Sequence, residues 1–166
     1  FMKECFKNVK KILAICWGMQ VAVTAAGGEV KKATKGSHIG IANDIELTND
    51  GLNNLLYKDK KNKFNTPAFN FDEVVTVPTG AIHLASNKIN KIQSLNFKIG
   101  ISEIWGLQYH PEITYKKMID IIKFRKDILI KKRSRFKNEE EINNHINFIE
   151  EEIKISKKDS RMLELR

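Results

Sequence analysis

Several things that would narrow the class of this chain are scarce or missing. Its two cysteines, Cys5 and Cys16, are too few for a disulfide framework and stand at no metal-ligand spacing. No run reaches the roughly 18 apolar residues that a membrane span needs. The start, Phe1-Met2-Lys3-Glu4, carries charge where a secretion signal has its apolar core, and it does not begin with Met. With neither disulfide pattern nor signal, a reducing cytoplasm is the expected compartment. There is no internal repeat and no long linker, so 166 residues read as one domain, 1–166, with a single core. Nothing calls for a metal or another cofactor.

What is abundant is positive charge. The net charge of +9 is the usual footprint of nucleic-acid binding, yet no RNA- or DNA-binding motif accompanies it. The lysines are scattered, as in Lys58-Asp59-Lys60-Lys61 and Lys131-Lys132-Arg133, with acidic residues close by. A solvated basic surface and a docking face for an acidic partner both fit this distribution. A hydrophobic fraction of 42% and a charged fraction of 30% are ordinary for a globular protein.

Periodicity supplies the elements. Cys5 to Lys11 reads as the end of a surface helix running into a strand, and Ile12-Leu13-Ala14-Ile15 as a short buried strand of a parallel sheet. Met19 to Ala26 is rich in helix formers, and Gly27-Gly28 stops it in the manner of a left-handed cap. Ile39 to Leu47 suggests an extended segment, and Asn49 to Lys63 a helical turn and loop. Further strands are expected at 73–77, 81–85, 91–95 and 104–109, with a hairpin-like turn near Lys98-Ile99-Gly100. From Thr114 the pattern turns helical, and Ile142, Ile146, Ile149 and Ile153 form a stripe, with a break around Ser134 to Asn138. The whole predicts an α/β domain with a largely parallel sheet and a helical C-terminal extension, 114–166. The stripe is a packing face on the domain, or else an interface for a second copy or a partner.

The chemistry sits in two short stretches. Ala14-Ile15-Cys16-Trp17-Gly18 has the small-x-nucleophile-x-small form of a nucleophile elbow, in which a strand turns sharply into a helix. Such a turn lifts the thiol above the sheet edge at a helix N-terminus, where the peptide dipoles favour thiolate. The backbone N–H of Trp17 then points to where an oxyanion develops. A cysteine behind a buried strand is also what an inert core thiol looks like. The second stretch, Trp105-Gly106-Leu107-Gln108-Tyr109-His110-Pro111-Glu112, ends a strand on a histidine with a carboxylate two residues on. Alone it is a turn. Paired with the elbow, His110 fits the base that takes the thiol proton and returns it to a departing nitrogen, and Glu112 fits its orienting acceptor.

These residues carry a family resemblance. Ile15-Cys16-Trp17-Gly18-Met19-Gln20 is similar to the Gly-Ile-Cys-x-Gly-x-Gln motif of class I glutamine amidotransferases, and Gly106 to Glu112 to their Gly-x-Gln-Phe-His-Pro-Glu motif. Phe71-Asp72-Glu73-Val74, Pro78-x-Gly80-Ala81, Leu84-Ala85-Ser86 and Ala26-Gly27-Gly28-Glu29-Val30 resemble the GMP-synthase-like branch, so the likeness spans about Cys5 to Glu112. The tail ending Met162-Leu163-Glu164-Leu165-Arg166 resembles the extension of stand-alone members without a synthetase domain. The resemblance implies a flavodoxin-like fold and hydrolysis of the glutamine side-chain amide through a γ-glutamyl thioester. In it Cys16 is nucleophile, His110 shuttles the proton, Glu112 orients His110, and Gln20 lies near the bound glutamine. Trp17 is expected to be both core and pocket wall. An ATP-dependent synthetase is the implied partner.

The chain departs from the family pattern at three places. Ala14 stands for a glycine, which the elbow tolerates. Asn70 stands where the related branch has histidine in a His-x-Asp stretch. The family's opening strands and its glycine-bearing oxyanion loop lie upstream of the elbow, where this chain has only Phe1 to Ile15, so weak activity in isolation is expected. Cys5 reads as incidental, Trp105 as core, and His38, His83 and His145 as lacking partners at ligand spacing. Three functions stay open: a glutaminase feeding an acceptor or synthetase, a γ-glutamyl peptidase with the same acyl-enzyme, and a non-catalytic module of the same fold.

Overall fold

The computed structural model describes residues 1–158. The chain opens with α1 (Met2–Asn8), β1 (Lys11–Ile15), α2 (Trp17–Ala25), β2 (Glu29–Lys32), β3 (His38–Leu47) and α3 (Asn49–Leu52). A 3₁₀ turn (Leu55–Tyr57) leads to β4 (Lys63–Asn70), β5 (Asp72–Thr76), β6 (Ile82–Ser86), β7 (Ser94–Ile99) and β8 (Ser102–Leu107). Then come α4 (Tyr115–Phe124), a π-turn (Ile128–Lys132) and α5 (Glu139–Lys158). The terminal motif Met162 to Arg166 lies outside the described residues.

Six strands form one sheet in the order β1-β8-β7-β6-β3-β4, and β2 pairs with β5 in a small ribbon. The expectation of a largely parallel sheet is corrected here. Among the described residues β1 and β8 pair in parallel, Lys11 opposite Glu103 through Ile15 opposite Leu107, and every other pairing is antiparallel. The links explain this. A parallel return needs a crossover of a dozen or more residues, whereas β7 reaches β8 across Gly100 and Ile101 alone. Two strands escaped the sequence pattern. β2 is short and mostly exposed, and β4 contains Pro67, which a ladder tolerates only at an edge or bulge. β4 is that edge.

The sheet curls until its last strand meets its other end. The carbonyl of Pro67 on β4 accepts the His110 N–H at 2.8 Å, just past β8. Inside the curl Ala42, Ile45, Leu47, Leu84, Leu107 and Tyr109 pack together. Helix α2 presents Met19, Ala22 and Val23, at i, i+3 and i+4, to Leu95, Phe97 and Ile104. Gly106 permits that approach, because a Cβ there would stand 2.8 Å from Met19 Cγ. Gly27, at φ 90°, stops α2 as expected.

Helices α4 and α5 cover β3 and β4. Ile142, Ile146 and Ile149 are buried against Ile39, Ile41, Ile119 and Ile122, with Ile153 partly buried beside them. Full burial of one such side chain is worth about 1.5–3 kcal/mol. The isoleucine stripe is a packing face.

Candidate active site

Cys16 is the single residue between β1 and α2, and its backbone is held at φ 50°, ψ −109°. A non-glycine residue in so sparse a region costs on the order of 1–3 kcal/mol and persists only where its surroundings over-determine it. Here the Cys16 N–H is tied to the Leu107 carbonyl at 2.6 Å, continuing the β1–β8 ladder by one bond. Helix α2 starts there without a side-chain cap. Its first N–H groups therefore have no intrahelical acceptor and remain donors beside the thiol's residue.

Two groups hold the thiol. Gln108 Nε2 donates to Sγ at 3.6 Å, and Sγ–H has the Phe69 carbonyl as acceptor at 3.7 Å. His110 Nδ1 and Glu112 Oε1 are 2.7 Å apart, the imidazole mostly buried and the carboxylate half-exposed. The His110 pKa is pushed up to about 9, first by its hydrogen bond with the Cys16 side chain and then by Glu112, while burial opposes both. The direction of that shift puts the imidazole in the electrostatic neighbourhood of the thiol. All three expected catalytic side chains, Cys16, His110 and Glu112, are thus brought together.

Gln20 and Trp17 are placed differently. The Gln20 side-chain nitrogen donates to the Asp72 carbonyl at 3.2 Å and to Gln108 Oε1 at 3.1 Å, so it stands behind Gln108. Trp17 is 74% exposed, which corrects the expectation that it belongs to the core; it lies at the first position of α2 with its ring in solvent. The expectation that the elbow requires a small residue two positions on is corrected as well, since a Cβ on Gly18 would meet no atom within 4 Å beyond its chain neighbours and its own helix backbone.

Asn70, in place of the usual histidine, is buried in a polar string. Its Oδ1 faces His38 Nδ1 at 3.0 Å, and its Nδ2 donates to Asn90 Oδ1 and to the Asp72 carbonyl, each at 3.0 Å. Asn90 donates in turn to Glu73 at 3.2 Å. The Asp72 carbonyl is shared with Gln20, so this string adjoins the one behind the thiol. Burial first of all holds the His38 pKa below its usual value. His83 and His145 contact backbone carbonyls of Ala85 and Ile39 at 2.8 and 2.5 Å. Trp105 packs at the edge of the inner core and donates to Asn54 at 3.3 Å. Cys5 is a half-buried free thiol on α1. Among the described residues no cluster of three or more His, Cys, Asp or Glu is placed to hold a metal ion, and no helix is long and apolar enough to cross a membrane.

Sequence reasoning missed two contributors. Gln108 is fully buried in an otherwise apolar strand end, and that buried amide was the available signal. The Phe69 carbonyl left none, because it belongs to a backbone edge in a strand the pattern did not reveal.

Comparison with known proteins adds an independent line. A family model described as glutamine amidotransferase class-I matches residues 1–126. A gamma-glutamyl-L-1-hydroxyisopropylamide hydrolase of a Pseudomonas species is 38% identical over 117 residues, covering 69% of this chain and 39% of that protein. The glutamine-hydrolysing GMP synthase subunit of Methanosarcina acetivorans is 33% identical over 120 residues, covering 70% of this chain and 60% of that protein. The chain thus spans about two fifths to three fifths of the length of these relatives. The crystal structure of a glutamine amidotransferase from Thermotoga maritima superposes with a TM-score of 0.68 at 22% identity, covering 93% of this chain and 60% of that one. At that identity the likeness speaks for the α/β fold, here a mixed, curled sheet with helices.

Proposed function

Because the chain belongs to the class-I glutamine amidotransferase family, we propose that it hydrolyses a γ-glutamyl amide, glutamine foremost, through a thioester on Cys16. His110 takes the Sγ proton and the sulfur attacks the side-chain carbonyl carbon. The negative charge that develops on the carbonyl oxygen is met by N–H groups at the start of α2. Collapse breaks the C–N bond, and His110 returns its proton to the leaving nitrogen, releasing ammonia. A water then gives a proton to His110 and attacks the thioester, which yields glutamate and restores the thiol. Glu112 keeps His110 in one orientation throughout. One observation carries this reading: a cysteine held at φ 50° in a strand–helix elbow shares its neighbourhood with a histidine whose Nδ1 is 2.7 Å from the Glu112 carboxylate.

Ammonia released this way would pass to an acceptor, and the relatives that are glutamine-hydrolysing GMP synthase subunits favour an ATP-dependent synthetase as the partner. A second reading has its own support. The Pseudomonas relative is named for hydrolysis of a γ-glutamyl amide whose amine is larger than ammonia. The same acyl-enzyme serves both, and only the leaving amine differs. Ammonia release from glutamine, set beside amine release from a γ-glutamyl alkylamide, tests the proposal. Activity on either that is lost in Cys16→Ala supports it; a rate on both that survives Cys16→Ala sinks it.

A further inference from the structure

Beyond the thiol's acceptor on β4 lies a feature the chemistry above leaves unused. Phe69, whose carbonyl faces Sγ, packs its half-buried ring against the cluster under α4 and α5 and meets the Phe71 ring edge-on, with centroids 5.6 Å apart at 88°. Each ring carries a guanidinium. Arg125 Cζ lies 5.5 Å from the Phe69 centroid, and Arg133 Cζ lies 4.5 Å from that of Phe71. A third, Arg135, has its Nη2 3.9 Å from where a Cβ on Gly36 would stand. The Phe71 carbonyl is bonded to Ala33 at 2.9 Å, which holds that loop beside the same corner.

Three arginines are thereby gathered at one corner of the β4 edge. Like charges so arranged repel unless something offsets them. Lys126, Lys131 and Lys137, in the same stretch, each have a carboxylate within 4 Å: Glu139 at 2.9, Asp127 at 3.2 and Glu141 at 3.8 Å. Arg125, Arg133 and Arg135 have none among the described residues, and their side chains donate no hydrogen bond there. Stacking on an aromatic face orients a guanidinium while leaving its N–H edge open. That edge matches a carboxylate, which it takes through two parallel bonds. Phe69 links thiol and guanidinium, since its carbonyl faces the thiol and its ring carries the Arg125 guanidinium.

We infer that the Phe69–Phe71 ledge with Arg125 and Arg133 is a carboxylate-binding subsite for the γ-glutamyl substrate, which rests on the hydrolytic reading above. The carboxylate is either that of the glutamyl half or one on the leaving amine. The segment after α4 would then build the site as well as cover β3 and β4.

Three substrates separate the sources: glutamine, γ-glutamylmethylamide and γ-glutamylglycine, of which the last alone carries a carboxylate on its leaving half. A charge-assisted hydrogen bond is worth about 1.5–3 kcal/mol, so Arg125→Gln or Arg133→Gln is expected to raise KM about 10- to 100-fold, with kcat little altered. A rise on all three substrates assigns the glutamyl carboxylate, and a rise on γ-glutamylglycine alone assigns the leaving half. Unchanged KM on all three, in both single variants and the double, overturns the subsite, above all if thermal stability falls, since that is what mere packing of the tail predicts. Calorimetric binding of γ-glutamylglycine to Cys16→Ala, with and without the two arginine changes, needs no turnover. Affinity lost with the arginines in a chain that turns over none of the three substrates supports the subsite and sinks the hydrolytic reading. Turnover with arginine-independent binding does the reverse, and no binding to Cys16→Ala at all also overturns the subsite.

Discussion

Gln20 and Gln108 are joined side chain to side chain at 3.1 Å, and the far end of Gln108 reaches the Cys16 sulfur. One glutamine fixes the amide orientation of the other. With its oxygen occupied by Gln20, Gln108 turns its nitrogen to the thiol, as a donor that suits thiolate better than thiol. Gln108→Leu is expected to strip half-buried Gln20 of one of its two acceptors, the Asp72 carbonyl remaining, at a cost of about 0.5–1.5 kcal/mol in stability. It should also slow acylation. Denaturant titration and single-turnover kinetics check both, and unaltered kinetics would remove Gln108 from the site.

The backbone at Cys16 sets up a stability–activity opposition. Glycine adopts positive φ at no steric cost, so Cys16→Gly is expected to be more stable than Cys16→Ala by about 1 kcal/mol, with both inactive. Thermal unfolding of the two variants decides. Equal stability would mean that the turn carries no strain.

The raised His110 pKa has a signed consequence. A group whose folded pKa lies above its unfolded value stabilises the fold fully below the unfolded value, here 6.5, and loses that contribution as pH rises through about 9. The wild-type chain should therefore lose stability between those values relative to His110→Ala. Cys16→Ala, which removes the leading cause of the shift, should flatten the difference. Denaturation at pH 6, 7.5 and 9.5 reads it out, and parallel curves for wild type and His110→Ala would contradict the assignment.

Glu112→Gln keeps the shape of the carboxylate and removes its charge. The imidazole then lacks its acceptor of fixed charge, and kcat is expected to fall about 10²- to 10⁴-fold, the range of positioned acid–base catalysis. A proton-resolved titration of His110 should show its pKa lowered in the same variant. A full-rate Glu112→Gln enzyme would leave Glu112 with a turn-forming role only.

Ile149 has no solvent exposure and packs with Ile122 over β3. Ile149→Ala is expected to cost about 2–5 kcal/mol. Equilibrium unfolding measures it, and a loss under about 1 kcal/mol would mean that α5 docks only loosely.

What the sequence disclosed, and what it hid, divides along the range of the forces involved. The elbow at Cys16, the stop at Gly27, the hairpin at Gly100 and the isoleucine stripe of α5 are decided within a few residues, and periodicity or turn chemistry displays them. The direction of strand pairing is not local, and an apolar run such as Ile12 to Ile15 looks alike in parallel and antiparallel company. β4 was hidden because Pro67 and its polar neighbours lack alternation, although a proline at an edge costs the ladder little. Trp17 misled because an indole is apolar, while its place at the start of α2 points it away from the sheet. The proposed trio of Cys16, His110 and Glu112 was readable as residue types at fixed spacing. The carbonyl of Phe69 and the guanidinium groups over its ring were not, since each comes from a segment far away along the chain.

The hydrogen bond from His110 to Pro67 has a further use. The carbonyl of Phe69, two residues along the same edge, is the one that faces the sulfur. The proposed nucleophile and base are thus gauged by a single rail of backbone, and if that rail lifts, both lose their reference together. The amide proton of His110 sits on it as a clock. Its exchange with deuterated solvent times each parting of the strand from the site, whether or not any substrate is being consumed.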